Sequence, residues 1–234
     1  MSSIEILNYN DHKELGLVSD MTYKHAKNHH MTYVLIHEFP QTCINFPIVF
    51  VKDSETGQFK SVALFGFDIN ENVFYTEKQW NTTYIPANIR RAPFLMSPKE
   101  GSVTKWSVCI DSESSCLSKD KGERLFNADG SETEQLISVK KFLTDFIERD
   151  HLTQDFAKYL SDKNLFKANS IAMNNSDGKD TKINGLYTID EDKMNELSNE
   201  DFLGLKNKGY LGPIYAHLTS LGQIERIMIL RNLC

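Results

Sequence analysis

Extended apolar runs separated by turn residues dominate the first half of the chain and predict β-structure there. Residues 47–52 form a β-branched run, residues 53–57 have the composition of a turn, and residues 59–67 return as a second extended run. This order predicts a β-hairpin. Further extended segments are predicted at residues 33–36, 73–84, 104–110 and 185–189.

Helical periodicity replaces this pattern after residue 130. Apolar residues from Leu136 to Ile147 recur at helical spacing, and residues 155–165 predict a second helix capped by Thr153. The last segment, residues 214–233, predicts one amphipathic helix docked on the core. The residues expected to dock it are Leu218, Leu221 and Ile224.

Together these patterns predict an α+β fold, with a mostly antiparallel sheet in the N-terminal half and helices concentrated in the C-terminal half. A length of 234 residues suits a single domain covering residues 1–234. Residues 112–130 are expected to form a long polar loop or a hairpin around Leu125 and Phe126. Residues 174–182 are expected to form a flexible connector.

Composition and charge narrow the classes of partner. Net charge is −6, and no stretch concentrates Lys and Arg as nucleic-acid binding requires. No run reaches the roughly 18 to 20 apolar residues of a membrane span, and the N-terminal residues lack a secretory signal, so a cytoplasmic protein is expected. The cysteines are too far apart for a zinc knuckle and are expected to be reduced thiols: Cys43, Cys109, Cys116 and Cys234.

Two histidines have the spacing of metal ligands. His25 and His29 are four residues apart, which on an α-helix places both imidazoles on one face. A metal site needs a third ligand, which nothing in the sequence marks, so a solvated surface is the alternative. His37 and Glu38 resemble the start of a zincin helix, but position 41 is Gln where that motif has its second His. The chain also lacks a nucleophile elbow, a Walker loop and a dinucleotide glycine fingerprint, so the sequence identifies no cofactor.

Adjacent arginines are the most distinctive charged feature. Arg90 and Arg91 lie in residues 85–98, a proline-rich stretch that predicts a short helix or an irregular loop. Two neighbouring side chains point in different directions, so one guanidinium can face inward, where it needs an anion. Glu38 or Asp111 could supply a carboxylate inside the protein. Alternatively, the guanidinium could bind the carboxylate or phosphate of a ligand.

Aromatic residues near the arginines allow two interpretations. Trp80, Tyr84, Phe94 and Trp106 could line a groove that recognises a peptide, or they could pack in the core. His217 lies in a predicted helix and is expected to be a packed or exposed histidine rather than a general base.

Short phrases along the chain resemble the bacterial SapC family, in order, from about Glu38 to Ile227. They are FPIVF at 46–50, ALFG at 63–66, NVF at 72–74, WNTTYIPA at 80–87, IRR at 89–91, PF at 93–94, CID at 109–111, LF at 125–126, GLY at 185–187 and AHLTSLGQ at 216–223. Ala92 departs from the aromatic residue common after the two arginines. The resemblance implies a function linked to surface layers or to peptide modification, and it supplies no catalytic residues.

Two functions from different classes follow. The first is an accessory or binding protein acting on a peptide or protein partner, because familiar catalytic motifs are absent while aromatic and arginine side chains are plentiful. Its predicted ligand-binding residues are Glu38, Trp80, Tyr84, Arg90, Arg91 and Asp111. The second is a metal-dependent enzyme that modifies a peptide or small molecule, for which His25 and His29 are the candidate ligands.

Overall fold

The computed structural model describes residues 3–19, 22–77, 79–99, 101, 105–174 and 180–232. The chain divides into two compact units. The first unit comprises residues 1–27, 75–81 and 87–148, and the second unit comprises residues 28–74, 82–86 and 149–234. The single domain expected over residues 1–234 stays a prediction.

Antiparallel strands and α-helices make up both units. The strands are β1 (Ile4–Ile6), β2 (Gly16–Leu17), β3 (Met31–Tyr33), β4 (Ile48–Lys52), β5 (Phe59–Leu64), β6 (Phe94–Pro98), β7 (Trp106–Asp111), β8 (Leu117–Ser118), β9 (Glu123–Arg124), β10 (Phe166–Asn174) and β11 (Asp180–Ile189). The α-helices are α1 (Tyr9–His12), α2 (Phe39–Thr42), α3 (Ala87–Arg90), α4 (Glu134–Asp162), α5 (Glu191–Asn195), α6 (Asn199–Asn207), α7 (Leu211–Ser220) and α8 (Gln223–Arg231). Two 3₁₀ helices cover Lys24–Ala26 and Ile36–Glu38. Strands lie mostly in the N-terminal and middle parts and helices more in the C-terminal part, which confirms the predicted α+β fold.

The first unit is built on a three-stranded sheet in the order β1-β7-β6. Phe94 on β6 lies opposite Ile110 on β7, and both side chains are buried. The N-terminal part of α4 covers them with Leu136 and Leu143, which share one helix face. Leu125 and Phe126 complete this cluster. Leu136 and Leu143, which belong to the helical pattern predicted after residue 130, therefore pack in this core.

Strand β2 lies between β8 and β9 in a second three-stranded sheet of the first unit. Backbones approach so closely here that a Cβ atom at Gly16 would lie 2.6 Å from the Lys121 carbonyl oxygen. A Cβ atom at Gly122 would lie 2.4 Å from the Leu17 carbonyl oxygen, and Gly122 also has a φ of +88°. Both positions require glycine because any larger residue would collide with backbone. The stretch 112–130, expected as a loop or hairpin, thus contains two short strands paired to β2.

The second unit is built on a five-stranded antiparallel sheet in the order β10-β11-β4-β5-β3. The predicted hairpin is confirmed as β4 and β5, joined by a turn in which the Asp53 carboxylate accepts the backbone N–H groups of Glu55 and Thr56. Gly57 closes the turn with a φ of +70°. Buried side chains of β4 and β5 form much of the core of this unit.

The predicted terminal helix is wrong in one respect: it is two helices, α7 and α8. The break falls at Leu221 and Gly222, where the Leu221 N–H donates to the Leu218 carbonyl in a 3₁₀-type turn. Helix α7 packs on α2, β4 and β11, as docking requires. The fully buried residues on the two helices are Ile214, His217, Ser220 and Ile227, whereas Leu218, Leu221 and Ile224 are half-buried.

Two predicted helices between residues 136 and 165 are instead one helix, α4, of 29 residues. Thr153 does not cap a helix start. Its hydroxyl donates to the Arg149 carbonyl at 2.8 Å, one turn back in the same helix, and accepts the Ile36 N–H at 3.1 Å. A buried Thr inside a helix can satisfy its hydroxyl in this way, which is why its cap-like chemistry misled the prediction.

One further prediction differs from the structure, and another falls partly outside the described residues and stays a prediction. Residues 73–84 were expected to be extended, but the described part of this segment contains turns and a single β-bridge between Tyr75 and Trp80. Of the connector expected at 174–182, Asn174 ends β10 and residues 180–182 begin β11, while residues 175–179 lie outside the described residues. Across the described ranges, no helix is long and apolar enough to cross a membrane.

Candidate functional site

Helix α3 holds the two arginines on a well-defined backbone in the first unit. The Arg91 N–H donates to the Ala87 carbonyl at 3.0 Å, and the Arg91 carbonyl accepts the Phe94 N–H at 2.8 Å. Ile89, which directly precedes the two arginines, is 1% exposed and anchors the short helix in the core. The backbone is therefore fixed on both sides of the pair, and Arg90 is exposed while Arg91 is half-buried.

Both guanidinium groups stack on aromatic rings of α4. The Arg90 Cζ lies 5.4 Å from the centroid of Phe142, and the Arg91 Cζ lies 5.2 Å from the centroid of Phe146. Phe142 and Phe146 are four residues apart and so occupy one face of the helix. Each stack contributes about 0.5–1 kcal/mol at such a site.

Trp80 is a packed residue of the first unit. Its side chain is 6% exposed, its backbone bridges to Tyr75, and its ring meets the edge of Tyr23 at 6.2 Å between centroids. Phe94 is 3% exposed in the core cluster of the same unit. These two aromatic side chains thus have the burial of core residues rather than of an open groove wall.

Glu38, which is buried, and Tyr84, which is half-buried, form a polar pair in the second unit. The Tyr84 hydroxyl donates to Glu38 Oε1 at 2.5 Å, and the Leu35 N–H donates to Glu38 Oε2 at 3.1 Å. The Glu38 residue is 1% exposed. Its carboxylate therefore relies on neighbouring donors in place of water, and the Tyr84 hydroxyl is one of them.

A second tyrosine–carboxylate pair lies in the same unit. The Tyr33 hydroxyl donates to Asp150 Oδ1 at 2.6 Å. Burial, reinforced by this hydrogen bond to a carboxylate, raises the pKa of Tyr33 well above its ordinary value. Tyr33 therefore stays protonated and acts as a hydrogen-bond donor.

Asp111 joins the N-terminal strand to β7. Its Oδ1 accepts the Ser3 N–H at 3.1 Å and the Glu113 N–H at 3.3 Å. The Ser112 N–H also donates to the Ser3 carbonyl, at 3.0 Å. These contacts give Asp111 a role in holding the edge of the β1-β7-β6 sheet.

His25 and His29 do not share an α-helix face. His25 lies in the 3₁₀ helix Lys24–Ala26, which ends before His29, and the two histidines belong to different units. His25 Nε2 is 3.0 Å from the Ile89 carbonyl oxygen, and its Nδ1 is 3.5 Å from Cys116 Sγ. The helical premise of the metal hypothesis is therefore wrong. Within the described residues, no group of three or more His, Cys, Asp or Glu side chains could hold a metal ion.

His217 is a fully buried structural residue of the second unit. Its Nε2 accepts the Ile189 N–H at 3.0 Å, and its carbonyl accepts the Ser220 hydroxyl at 2.6 Å. Ser220 Oγ in turn accepts the Ile48 N–H at 2.9 Å. Burial lowers the pKa of His217 to about 4, so the ring is neutral at neutral pH. The prediction of a packed histidine is consistent with this arrangement.

Sequence reasoning missed two features of the first unit. Phe142 and Phe146 fit a helical pattern that predicts packing, and nothing local shows that arginines some 50 positions earlier in the chain stack on them. The pairing of His25 with Cys116 was missed because their separation in sequence is large and neither belongs to a familiar motif. Only the spacing of Phe142 and Phe146, four residues apart, could have pointed to a paired aromatic surface.

Comparisons with known proteins place the chain in one family. A family model described as SapC matches residues 7–227, which include all the phrases that carried the resemblance. No curated protein and no solved structure matches the chain.

The described cysteines Cys43, Cys109 and Cys116 are thiols rather than disulfides, as expected, and Cys234 lies outside the described residues.

Proposed function

The chain belongs to the SapC family, and from that premise we propose that it is an accessory or binding protein whose Arg90 and Arg91 hold an anionic group of a peptide or protein partner. The same proposal places it in the cytoplasm, in the service of a surface-layer or peptide-modification system.

The stacking of both guanidiniums on α4 is the observation that supports this proposal. The Arg90 and Arg91 guanidiniums lie over the rings of Phe142 and Phe146, and the hydrogen-bonded turn around α3 fixes the backbone of the pair. A pre-oriented guanidinium loses little further entropy when it forms a bidentate contact with a carboxylate or phosphate. Arg90 is exposed, so a partner's side chain can reach it.

The other predicted residues do not touch the ligand in this proposal. Trp80 packs in the first unit, and Asp111 holds the N-terminal strand beside β7. In the second unit, Tyr84 and Glu38 form a hydrogen-bonded pair of their own. The arginines are therefore the residues to change first.

Substitution of both arginines by lysine separates binding from folding. Lysine keeps the positive charge but lacks the planar, bidentate fork. We expect the double variant Arg90→Lys, Arg91→Lys to bind fluorescein-labelled acidic peptides, phosphorylated or ending in a free carboxylate, about 10 to 100-fold more weakly than the parent chain. Fluorescence polarisation measures the affinity, and urea unfolding measures the stability.

Arg226→Lys is the matched control. Arg226 also stacks on a phenylalanine, with its Cζ 5.4 Å from the centroid of Phe74, but it lies in the second unit and donates to the Asn45 carbonyl at 3.4 Å. This variant should bind the peptides as the parent does. If no acidic peptide binds the parent chain, or if the arginine variant loses stability and binds unchanged, the site is a structural one and the proposal is wrong.

A further inference from the structure

The side chains of Cys116 and His25 meet on well-anchored backbone in the first unit. The Cys116 carbonyl accepts the Val18 N–H at 2.8 Å, which ties the residue to the segment after β2. Its own N–H donates to Ser114 Oγ at 3.3 Å. His25 lies in the 3₁₀ helix Lys24–Ala26, whose Ala26 is fully buried.

The hydrogen bonds of His25 determine which ring nitrogen carries the proton. Nε2 lies 3.0 Å from the Ile89 carbonyl oxygen, which can only accept a hydrogen bond, so a neutral ring carries its proton on Nε2. Nδ1 then presents its lone pair, and it lies 3.5 Å from Cys116 Sγ. The thiol can donate to that nitrogen. Cys116 Sγ, the His25 ring and the Ile89 carbonyl are thus linked in space as a nucleophile, a base and a group that orients the base.

We propose that Cys116 and His25 form a nucleophile and general base for acyl transfer from an ester or thioester. As Sγ attacks the acyl carbon, His25 Nδ1 takes the thiol proton and then gives it to the leaving alcohol or thiol. The product is S-acyl Cys116. Water or an amine, deprotonated by the same nitrogen, then attacks the acyl group, the proton returns to Sγ, and the thiol is restored. Each step exchanges one bond to the acyl carbon for another and needs no oxidant, reductant or metal.

The surroundings of the two residues suit this chemistry. Cys116 is 7% exposed, and His25 is half-buried and faces solvent in part. The base beside Cys116, and not its burial, distinguishes it from the other described thiols. Ile89 acts as a positioning residue because its backbone carbonyl holds the ring. The inference does not rest on the proposed binding function, although Ile89 directly precedes Arg90 in α3.

The other described thiols serve as internal controls. Burial raises the pKa of Cys43 and the pKa of Cys109, so both favour the unreactive protonated thiol. Cys109 Sγ points to the Ser107 carbonyl oxygen, at 4.0 Å, and Cys43 Sγ donates to the Pro40 carbonyl. Neither contact provides a base. Reaction with an acyl donor should therefore distinguish Cys116 from these two residues.

Acylation by p-nitrophenyl acetate tests the proposal. We expect the parent chain to release p-nitrophenolate in a burst of about one equivalent, with the acetyl group located on Cys116 by peptide mass spectrometry. Cys116→Ser should abolish the burst. His25→Asn should slow it by about 100-fold or more, because general-base assistance is lost. Cys43→Ser and His151→Asn, which change an unassisted thiol and an exposed histidine of α4, should leave it unchanged.

Three results would overturn the proposal: a parent chain with no burst, acetylation on Cys43 or Cys109 in preference to Cys116, or a His25→Asn rate equal to that of the parent. Iodoacetamide alkylation of the same variants gives a second readout that does not need an acyl group. A Cys116 that alkylates no faster than Cys43 would also contradict an assisted nucleophile. The binding of acidic peptides is measured separately, so failure of either proposal is recognised on its own.

Discussion

His217 links the stability of the fold to pH through a single buried ring. Its Nε2 must stay unprotonated to accept the Ile189 N–H, and its buried Nδ1 makes no hydrogen bond within the described chain. Burial lowers the pKa of His217 to about 4, whereas the ring titrates near 6.5 in an unfolded chain. Between these two values the unfolded state binds more protons than the folded state.

The free energy of unfolding should therefore fall as pH drops from about 6.5 towards 4, by about 1.4 kcal/mol per pH unit from this residue, and should not change on its account above that range. Urea unfolding at pH 7, 6 and 5 measures the slope. His217→Gln retains an acceptor but does not titrate, so its slope should be shallower. Equal slopes for the two chains would show that another group carries the pH dependence.

Removal of the Tyr84 hydroxyl should also lower the free energy of unfolding. Tyr84→Phe takes one donor from the buried Glu38 carboxylate, so we expect the free energy of unfolding to fall by about 1–3 kcal/mol. Tyr187→Phe is the control, because Tyr187 is half-buried in the same unit and its hydroxyl makes no hydrogen bond within the described residues. Chemical denaturation measures both, and similar losses would mean that the pair with Glu38 adds nothing.

Helix α4 contains, in its C-terminal half, a threonine that the sequence pattern assigned to a helix start. Thr153→Val keeps the shape of the side chain but leaves the Ile36 N–H without its acceptor, so we expect a loss of about 1–3 kcal/mol in the free energy of unfolding. Thr144→Val is matched to it: Thr144 also donates to a carbonyl one turn back, that of Lys140 at 2.9 Å, but it is exposed. Thermal and urea unfolding of the two variants should differ, and equal stabilities would disprove a special role for Thr153.

Local patterns predicted the elements whose signals lie within a few residues. The β4–β5 hairpin is an example, because Asp53 and Gly57 make the turn themselves. Local patterns failed where a residue far away in the sequence determines the structure. Thr153 resembles a helix cap in the sequence, but its hydroxyl accepts the N–H of the distant Ile36. No proline marks the break between α7 and α8 at Leu221. The candidate site follows the same rule: the arginines are visible in sequence, but Phe142 and Phe146 are not visibly their partners.

At the scale of the whole molecule, the single domain predicted over residues 1–234 can be tested through its two cores. Leu143 is buried in the first unit and Ile214 in the second. Leu143→Ala and Ile214→Ala should each cost about 2–5 kcal/mol. In one cooperative domain, each variant lowers the midpoint of the same single calorimetric transition. Two transitions, each moved by only one variant, would instead identify two independently folding domains.

The close approach of backbones around β2 should make part of a polar stretch intolerant of substitution. The stretch 112–130 is polar and rich in Ser, Lys, Asp and Gly, so its composition suggests a region that is free to vary over evolutionary time. Gly16 and Gly122 have carbonyl oxygens where a Cβ atom would have to go. In a saturation mutagenesis library, we expect almost no substitution of Gly16 or Gly122 to be tolerated, whereas the exposed Lys119 and Lys121 beside Gly122 should tolerate many substitutions.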